Sequence, residues 1–119
     1  MIILDYKDTR PIYEQIVEKF KLLILKGVIQ KDEQMPSVRS LAVELSINPN
    51  TIQKAYAELE RQGYIYTVKG RGNFISDNKN LLDERKEELK NRMIFLYKEG
   101  LELGMKKADF IECLQGMEE

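Results

Sequence analysis

Residues 36–63 read PSVRSLAVELSINPNTIQKAYAELERQG, and they carry the start and stop signals of two short helices. Ser37 is placed to N-cap the first, whose apolar residues recur at the i, i+3, i+4, i+7 spacing of a helix with one buried face. Asn48-Pro49 opens the second with a side-chain cap and a proline at the first helical position, and Gly63 follows its last apolar residue. Two capped helices joined by a three-residue turn predict a helix-turn-helix.

The segments on either side complete a winged domain. An amphipathic pattern predicts an earlier helix from about Pro11 to Lys26, with a glycine stop directly after it. After the helix-turn-helix, residues 64–68 and 73–75 are rich in β-branched and aromatic side chains and flank the glycine-containing turn 69–72. This pattern predicts a β-hairpin. A hairpin directly after a helix-turn-helix is a wing.

The polar residues 77–80 form the best candidate boundary in the chain. We therefore assign residues 1–76 to a winged helix-turn-helix domain and residues 77–119 to a helical tail. The tail pattern predicts a helix over Leu81–Glu102 and a short last helix from about Lys107 to Met117. The fold class is mainly α with a small β-hairpin.

Leucines spaced seven residues apart run along the tail, with a methionine between two of them. One explanation is a helix that packs against its own domain, since three heptads do not prove a coiled coil. We favour self-association, because the three helices and the hairpin that precede this helix already fill one core. The candidate dimerisation residues are Leu82, Leu89, Met93, Leu96 and Leu103.

Composition excludes most enzyme classes. The chain has 119 residues, of which 43% are apolar, and it contains one cysteine and no histidine. A disulfide framework, a Cys/His zinc site and histidine-based catalysis are therefore excluded. We expect no enzymatic activity, no cofactor and no metal. Apolar runs such as Leu22–Leu25 are far too short to span a membrane, and no secretory signal is evident, so we expect a cytoplasmic protein.

The charge distribution singles out the middle of the chain. The net charge is zero over residues 1–35, +2 over residues 36–76 and −3 over residues 77–119. A basic winged domain beside an acidic tail is the distribution expected if the domain faces DNA phosphates and the tail faces protein or solvent. The excess is small, so charge alone is a weak signal.

Helical geometry indicates which side chains face a ligand. At about 100° per residue, Asn50, Gln53 and Lys54 share the exposed side of the first two turns of the second helix. In a helix-turn-helix these turns enter the major groove, where Asn and Gln can bind adenine and Lys can bind guanine or phosphate. Each alone could be an ordinary solvated residue. The two-helix spacing and the basic hairpin together favour DNA recognition.

Two further elements carry candidate phosphate contacts. The helix N-terminus capped by Ser37, with Arg39 on its first turn, forms a phosphate site that is compatible with the cap. At the hairpin tip, Lys69 and Arg71 flank Gly70, which permits close approach to a sugar-phosphate chain. A hairpin that needs glycines for its turn and charges only for solubility would have the same sequence. We interpret the tip as a DNA contact because the neighbouring helix is also predicted to bind DNA.

These residues together resemble the GntR family of bacterial winged-helix transcription regulators. The resemblance rests on PIYEQI at 11–16, MPSVRSLA at 35–42, NTIQKAYAELERQG at 50–63 and GRGNFI at 70–75. The short remainder resembles the YtrA-type branch, in which two C-terminal helices serve dimerisation. Two positions differ from the family pattern: Asp32 stands where glycine is usual, in a left-handed turn that Asp tolerates, and Lys106 stands where serine often opens the last helix.

The resemblance implies a role for each candidate DNA contact. It assigns operator contacts to Arg39, Asn48, Asn50, Gln53, Lys69 and Gly70, and supporting phosphate or groove contacts to Ser37, Thr51, Lys54 and Arg71. We expect a homodimeric, sequence-specific repressor that binds double-stranded DNA at a near-palindromic operator. The alternative is a winged-helix module that docks another protein. The operator sequence, the regulated genes, the choice between repression and activation, and any small-molecule effector are not determined by the sequence.

Overall fold

The computed structural model describes residues 2–118 of the chain. The order of the elements is α1 (Ile12–Leu25), α2 (Val38–Leu45), α3 (Pro49–Arg61), β1 (Ile65–Val68), β2 (Gly72–Ile75), α4 (Leu81–Glu102) and α5 (Lys107–Gln115). This arrangement confirms the predicted fold class, mainly α with one small hairpin. The predicted α1 is one residue too long at each end, and α5 ends two residues before Met117, differences of the size expected at helix ends.

The chain divides into two compact units, the first ending at Lys79 and the second beginning at Asn80. In the first unit α1 packs against α3, and the rings of Phe20 and Tyr56 meet edge to face with centroids 6.0 Å apart. The four apolar residues predicted to face inward from α3 are all buried: Ile52, Ala55, Tyr56 and Leu59. Burial of this stripe fixes the opposite side of α3 at the surface.

The turn between α2 and α3 is held by local hydrogen bonds. Ser37 Oγ accepts a hydrogen bond from the Ser40 N–H at 3.0 Å and caps α2. Asn48 Oδ1 accepts one from the Asn50 N–H at 2.8 Å and caps α3. Both predicted caps are therefore confirmed. Between them Ser46 takes the left-handed conformation with φ of 55°, which lets the chain reverse within three residues.

α3 ends before Gly63, the glycine that was predicted to stop it. Gly63 has φ of 85°, and the N–H of Tyr64 donates to the carbonyl of Leu59 at 2.9 Å. A left-handed residue at this position satisfies the last helical carbonyls, and glycine adopts it without the steric cost of a Cβ. The chain then enters β1 directly.

The hairpin has an additional neighbour that the sequence did not predict. β1 and β2 pair antiparallel with Ile65 opposite Ile75. The segment before α2 lies along the free edge of β2. There the backbone of Gln34 pairs antiparallel with that of Phe74, and the Met35 N–H donates to the Asn73 carbonyl at 2.8 Å. Because this segment lacks an alternating apolar pattern, nothing local in its sequence indicates a strand. Its backbone pairing ties the start of α2 to the wing.

Asp32, which begins that segment, has φ of 65°. The sequence-based expectation of a left-handed turn at this position is therefore confirmed. Its carboxylate accepts a hydrogen bond from the Tyr66 hydroxyl at 2.9 Å. An aspartate here therefore adds a link to β1 that glycine could not make.

Two buried polar residues in α1 were missed by the apolar pattern. Gln15 is 1% exposed; its Oε1 accepts from the Asp5 N–H at 3.0 Å and its Nε2 donates to the Arg10 carbonyl at 3.2 Å. Lys21 is 8% exposed and pairs with Glu18 at 3.4 Å. The cost of burying polar groups is offset because each has a partner. Gln15 thereby fastens the N-terminal segment to α1.

The second unit consists of α4 and α5. The rings of Tyr97 and Phe110 meet edge to face at 5.3 Å. Gly100 is buried between the helices, and a Cβ built on it would overlap the Phe110 ring. At the start of α5 the Asp109 carboxylate accepts a hydrogen bond from the Lys106 N–H at 2.7 Å. Asp109 thus contributes a stabilising contact at a helix start where the N-cap residue is lysine.

Candidate nucleic-acid interface

The outward side of α3 carries the predicted base-reading residues. Asn50, Gln53 and Lys54 are all exposed, whereas Thr51 is half-buried beside them. Asn48 is exposed as well, but its Oδ1 is engaged in the helix cap. These side chains share one surface because the inward stripe of α3 packs against α1 and α2.

Lys54 is not an unconstrained surface lysine. Its Nζ lies 3.9 Å from the centroid of the Tyr13 ring, which belongs to the first turn of α1. This distance is well within the range of a cation–π interaction. The helical period correctly predicted that Lys54 is exposed, but a pattern within one helix cannot indicate a partner in another helix.

Arg61, at the end of α3, has a carboxylate as its partner, whereas Lys54 has an aromatic ring. Its guanidinium forms hydrogen bonds with the Glu58 carboxylate, one of them from Nε at 2.9 Å. These bonds, with a further one from Gln62, lower the pKa of Glu58 to about 2. The carboxylate is therefore ionised at neutral pH, and the charge of Arg61 is largely compensated.

The wing tip presents the predicted cations. Lys69, Gly70 and Arg71 are all exposed, and the turn is closed by a hydrogen bond from the Arg71 N–H to the Val68 carbonyl at 2.9 Å. From the neighbouring segment, Gln34 Nε2 donates to the Arg71 carbonyl at 2.8 Å. A Cβ on Gly72 would come within 2.9 Å of that Nε2. Glycine at 72, with φ of 119°, is therefore needed for this link.

A hollow of about 360 Å³ separates α3 from the wing, and Gln53, Ala57, Glu60 and Asn73 are among the residues that line it. The Thr67 hydroxyl contacts the Glu60 carboxylate and lies 2.8 Å from Asn73 Oδ1. These three residues connect the wing to α3. No role in the site was predicted for these residues, because no local motif joins them and only the packing of the hairpin brings them together.

The start of α2 holds the remaining predicted contacts. Ser37 and Arg39 are exposed, and the Ser37 cap satisfies one N–H of the first turn. A helix N-terminus with an arginine on its first turn is favourable for an anion. Backbone pairing of residues 32–35 holds this helix start beside β2.

The second unit carries an apolar surface instead. The five predicted dimerisation residues are 40–80% exposed. Some of them also line an apolar groove of about 430 Å³ between α4 and α5, together with Tyr97, Phe110 and Leu114. Such a concentration of exposed apolar side chains marks an interaction surface.

Over residues 2–118, no group of three or more His, Cys, Asp or Glu side chains is arranged to hold a metal ion. The same stretch contains no helix with the length and apolarity needed to cross a membrane.

Two capped helices with a polar outward face, followed by a cationic wing, define the class of winged helix-turn-helix transcription regulators. Residues 12–75 match the model of the bacterial regulatory proteins, gntR family. The chain belongs to this family, which confirms the resemblance inferred from its motifs.

Similarity to individual proteins extends beyond the winged domain. The chain is 47% identical to the HTH-type transcriptional repressor YtrA of Bacillus subtilis (strain 168), over 87% of this chain and 84% of that protein. A GntR family transcriptional regulator from Listeria monocytogenes has a similar structure, with a TM-score of 0.74 at 35% identity, covering 93% of this chain and 98% of that one.

A solved DNA complex is also among the similar structures. The DNA-binding domain of AraR, in complex with operator ORE1, has a TM-score of 0.55 and 31% identity to this chain. The match covers 62% of this chain and 90% of that domain. The likeness is therefore to a protein whose structure was determined with an operator bound.

Proposed function

We propose that this protein is a homodimeric, sequence-specific DNA-binding repressor of transcription that recognises a near-palindromic operator. The observation that carries this proposal is the exposed face of α3, with Asn50, Gln53 and Lys54 on its first two turns. Because the ligand is chromosomal DNA, the proposed compartment is the cytoplasm. The similarity to the repressor YtrA and to the operator-bound domain of AraR supports the same conclusion.

In the proposed complex α3 enters the major groove. Its 13 residues make a rod about 20 Å long, since each residue adds ~1.5 Å. Asn50 and Gln53 would each bind one base edge, with adenine as the favoured partner because Asn and Gln amides match its N6 and N7. The Asn48 cap uses Oδ1, so any contact by this residue would come from the Nδ2 donor.

The other candidate contacts hold the domain on the phosphate backbone. Arg39 and the N-terminus of α2 would take one phosphate, and Thr51 and Lys54 would contact the backbone beside α3. On the other side of the hollow, Lys69, Gly70 and Arg71 would lie along the minor groove. These contacts position the domain, whereas Asn50 and Gln53 select the sequence.

The tail would pair two copies through its exposed apolar surface. In a two-fold interface both subunits use the same surface. The apolar surface of the partner would therefore cover Leu82, Leu89, Met93, Leu96 and Leu103. A two-fold dimer places its recognition helices on half-sites about one helical turn apart or a multiple of it. Since one protomer offers few cations, tight binding would depend on both domains and fall steeply with salt. Occupation of the operator would then block RNA polymerase.

The proposal is tested by selecting bound duplexes from a random pool at a stated salt concentration, followed by titration of the best palindrome. Asn50→Ala and Gln53→Ala should each lose about 1–3 kcal/mol of preference over random DNA, the usual worth of a bidentate base contact. Gln30→Ala, a change at an exposed glutamine outside the interface, is the matched control and should bind as the parent does.

A module that docks another protein would behave differently. It would show no preferred duplex, and the α3 variants would bind DNA as weakly as the parent. That result would overturn the proposed function.

A further inference from the structure

The contact between Lys54 and Tyr13 joins the proposed DNA surface to α1. Lys54 lies on the second turn of α3, and its ammonium sits over the Tyr13 ring at 3.9 Å. Tyr13 is half-buried in the first turn of α1. The two helices also pack against each other through the buried Phe20–Tyr56 pair. The ring therefore offers Lys54 a well-defined point of attachment.

An aromatic ring orders a lysine without cancelling its charge. An exposed lysine side chain has many rotamers, and binding to a phosphate must suppress them. A carboxylate partner would restrict the side chain too, but it would also compensate the cation, as Glu58 does for Arg61. The ring face attracts the ammonium through its quadrupole and carries no net charge. A phosphate approaching from the side away from the ring still meets a full positive charge.

We propose that Tyr13 is a positioning residue for DNA binding, which holds the Lys54 ammonium in place at the edge of α3 so that it meets a backbone phosphate. The inference rests on the proposed function, and it adds a residue of α1 to an interface otherwise made by α2, α3 and the wing. Tyr13 acts through Lys54 and need not touch DNA. Pre-ordering the lysine lowers the entropy lost when the complex forms.

The test is a double-mutant cycle measured by duplex binding over a range of salt concentrations. Lys54→Gln removes the cation. The slope of log K against log[salt] should then become less negative by about 0.9, the value of one phosphate contact. Tyr13→Leu should weaken binding about twofold to fivefold when Lys54 is present, the effect of an exposed cation–π contact. In the Lys54→Gln background the same Tyr13→Leu change should have no further effect.

Two controls separate positioning from a general structural role. Tyr13→Phe keeps the ring and should restore the parent affinity. Tyr13→Leu combined with Lys69→Ala should be additive, because the wing lysine does not contact Tyr13. Thermal unfolding of each variant, followed by circular dichroism, identifies any loss of affinity that comes from loss of fold.

Two results would overturn the inference and leave the proposed function standing. In one, Tyr13→Leu weakens binding equally with and without Lys54. In the other, Lys54→Gln changes neither affinity nor salt slope, while Asn50→Ala still reduces sequence preference. If Asn50→Ala and Gln53→Ala also have no effect, the proposed function itself fails.

Discussion

Tyr56 links α3 to the start of α2 through a single hydrogen bond. Its ring is 1% exposed, and its hydroxyl donates to the Pro36 carbonyl at 2.7 Å. Burial raises the pKa of the phenol well above its usual value. The hydroxyl thus stays protonated and keeps its bond over the whole neutral range. Because Pro36 directly precedes the Ser37 cap, this bond helps to fix the angle at which the two helices meet.

Tyr56→Phe should lower the free energy of unfolding by about 1 kcal/mol, the usual net value of one hydrogen bond. The parent should also lose stability relative to this variant above about pH 10, because the unfolded phenol ionises there while the folded one does not. Chemical denaturation at pH 7 and at pH 10.5 measures both effects. Tyr66→Phe, whose hydroxyl bonds to Asp32 at an exposed site, should cost less and serves as the control. Equal costs would contradict the assigned role of burial.

The wing is positioned by contacts on two sides. On one side the backbone of residues 32–35 pairs with β2. On the other, the Thr67 hydroxyl joins Glu60 on α3 and Asn73 on β2. A two-stranded hairpin alone has marginal stability in water, so these links decide where the cationic tip lies. Glu60 is then a structural acid within the proposed DNA surface, held by its hydroxyl partner.

Thr67→Val keeps the β-branched shape of the side chain and removes the hydroxyl. We expect faster amide exchange in β1 and β2 and a loss of duplex affinity of about fivefold, corresponding to one hydrogen bond of about 1 kcal/mol. Thr67→Ser retains the hydroxyl and should bind nearly as the parent does. Parent-like affinity and exchange in Thr67→Val would show that the wing is held by its backbone pairing alone.

At the scale of the whole molecule, the two compact units have different surfaces. The first has its own core, with Ile16, Phe20, Leu41, Ile52 and Leu59 fully buried. The second buries little within one chain and leaves most of its leucines exposed. Residues 80–119 also carry a net charge of −3, which does not suit contact with phosphates. We propose that the exposed apolar side chains of the second unit are covered by a second copy of the chain.

Truncation after Lys79 should yield a folded monomer, since the first unit keeps its core and the Asn78 contact with the Ile24 carbonyl. Its affinity for the palindromic duplex should fall about 100-fold or more, because two linked domains benefit from a high effective concentration. Sedimentation and duplex titration measure the two effects. The full chain with Leu96→Ser, a change within the apolar surface, should shift in the same direction. An unchanged dimer after truncation would contradict the role assigned to the tail.

The amphipathic periods were enough to predict which side of α2 and of α3 faces the core. The four buried residues of α3 repeat every three or four positions, and this spacing fixes Asn50, Gln53 and Lys54 on the outer side. The caps at Ser37 and Asn48 were equally predictable, because each joins residues only two or three apart. The boundaries of α4 followed from the polar residues before it and the glycine after it.

The sequence by itself determined the helix-turn-helix, the wing, the outward residues of α3 and the apolar tail, because each depends on neighbours within a few positions along the chain. Only the tertiary structure decided that Tyr13 meets Lys54, that Thr67 joins Glu60 to Asn73, and that residues 32–35 pair with the wing. It also decided that Gln15 is buried. These contacts join different elements of the fold, and their geometry depends on how the helices and the hairpin pack around the shared core.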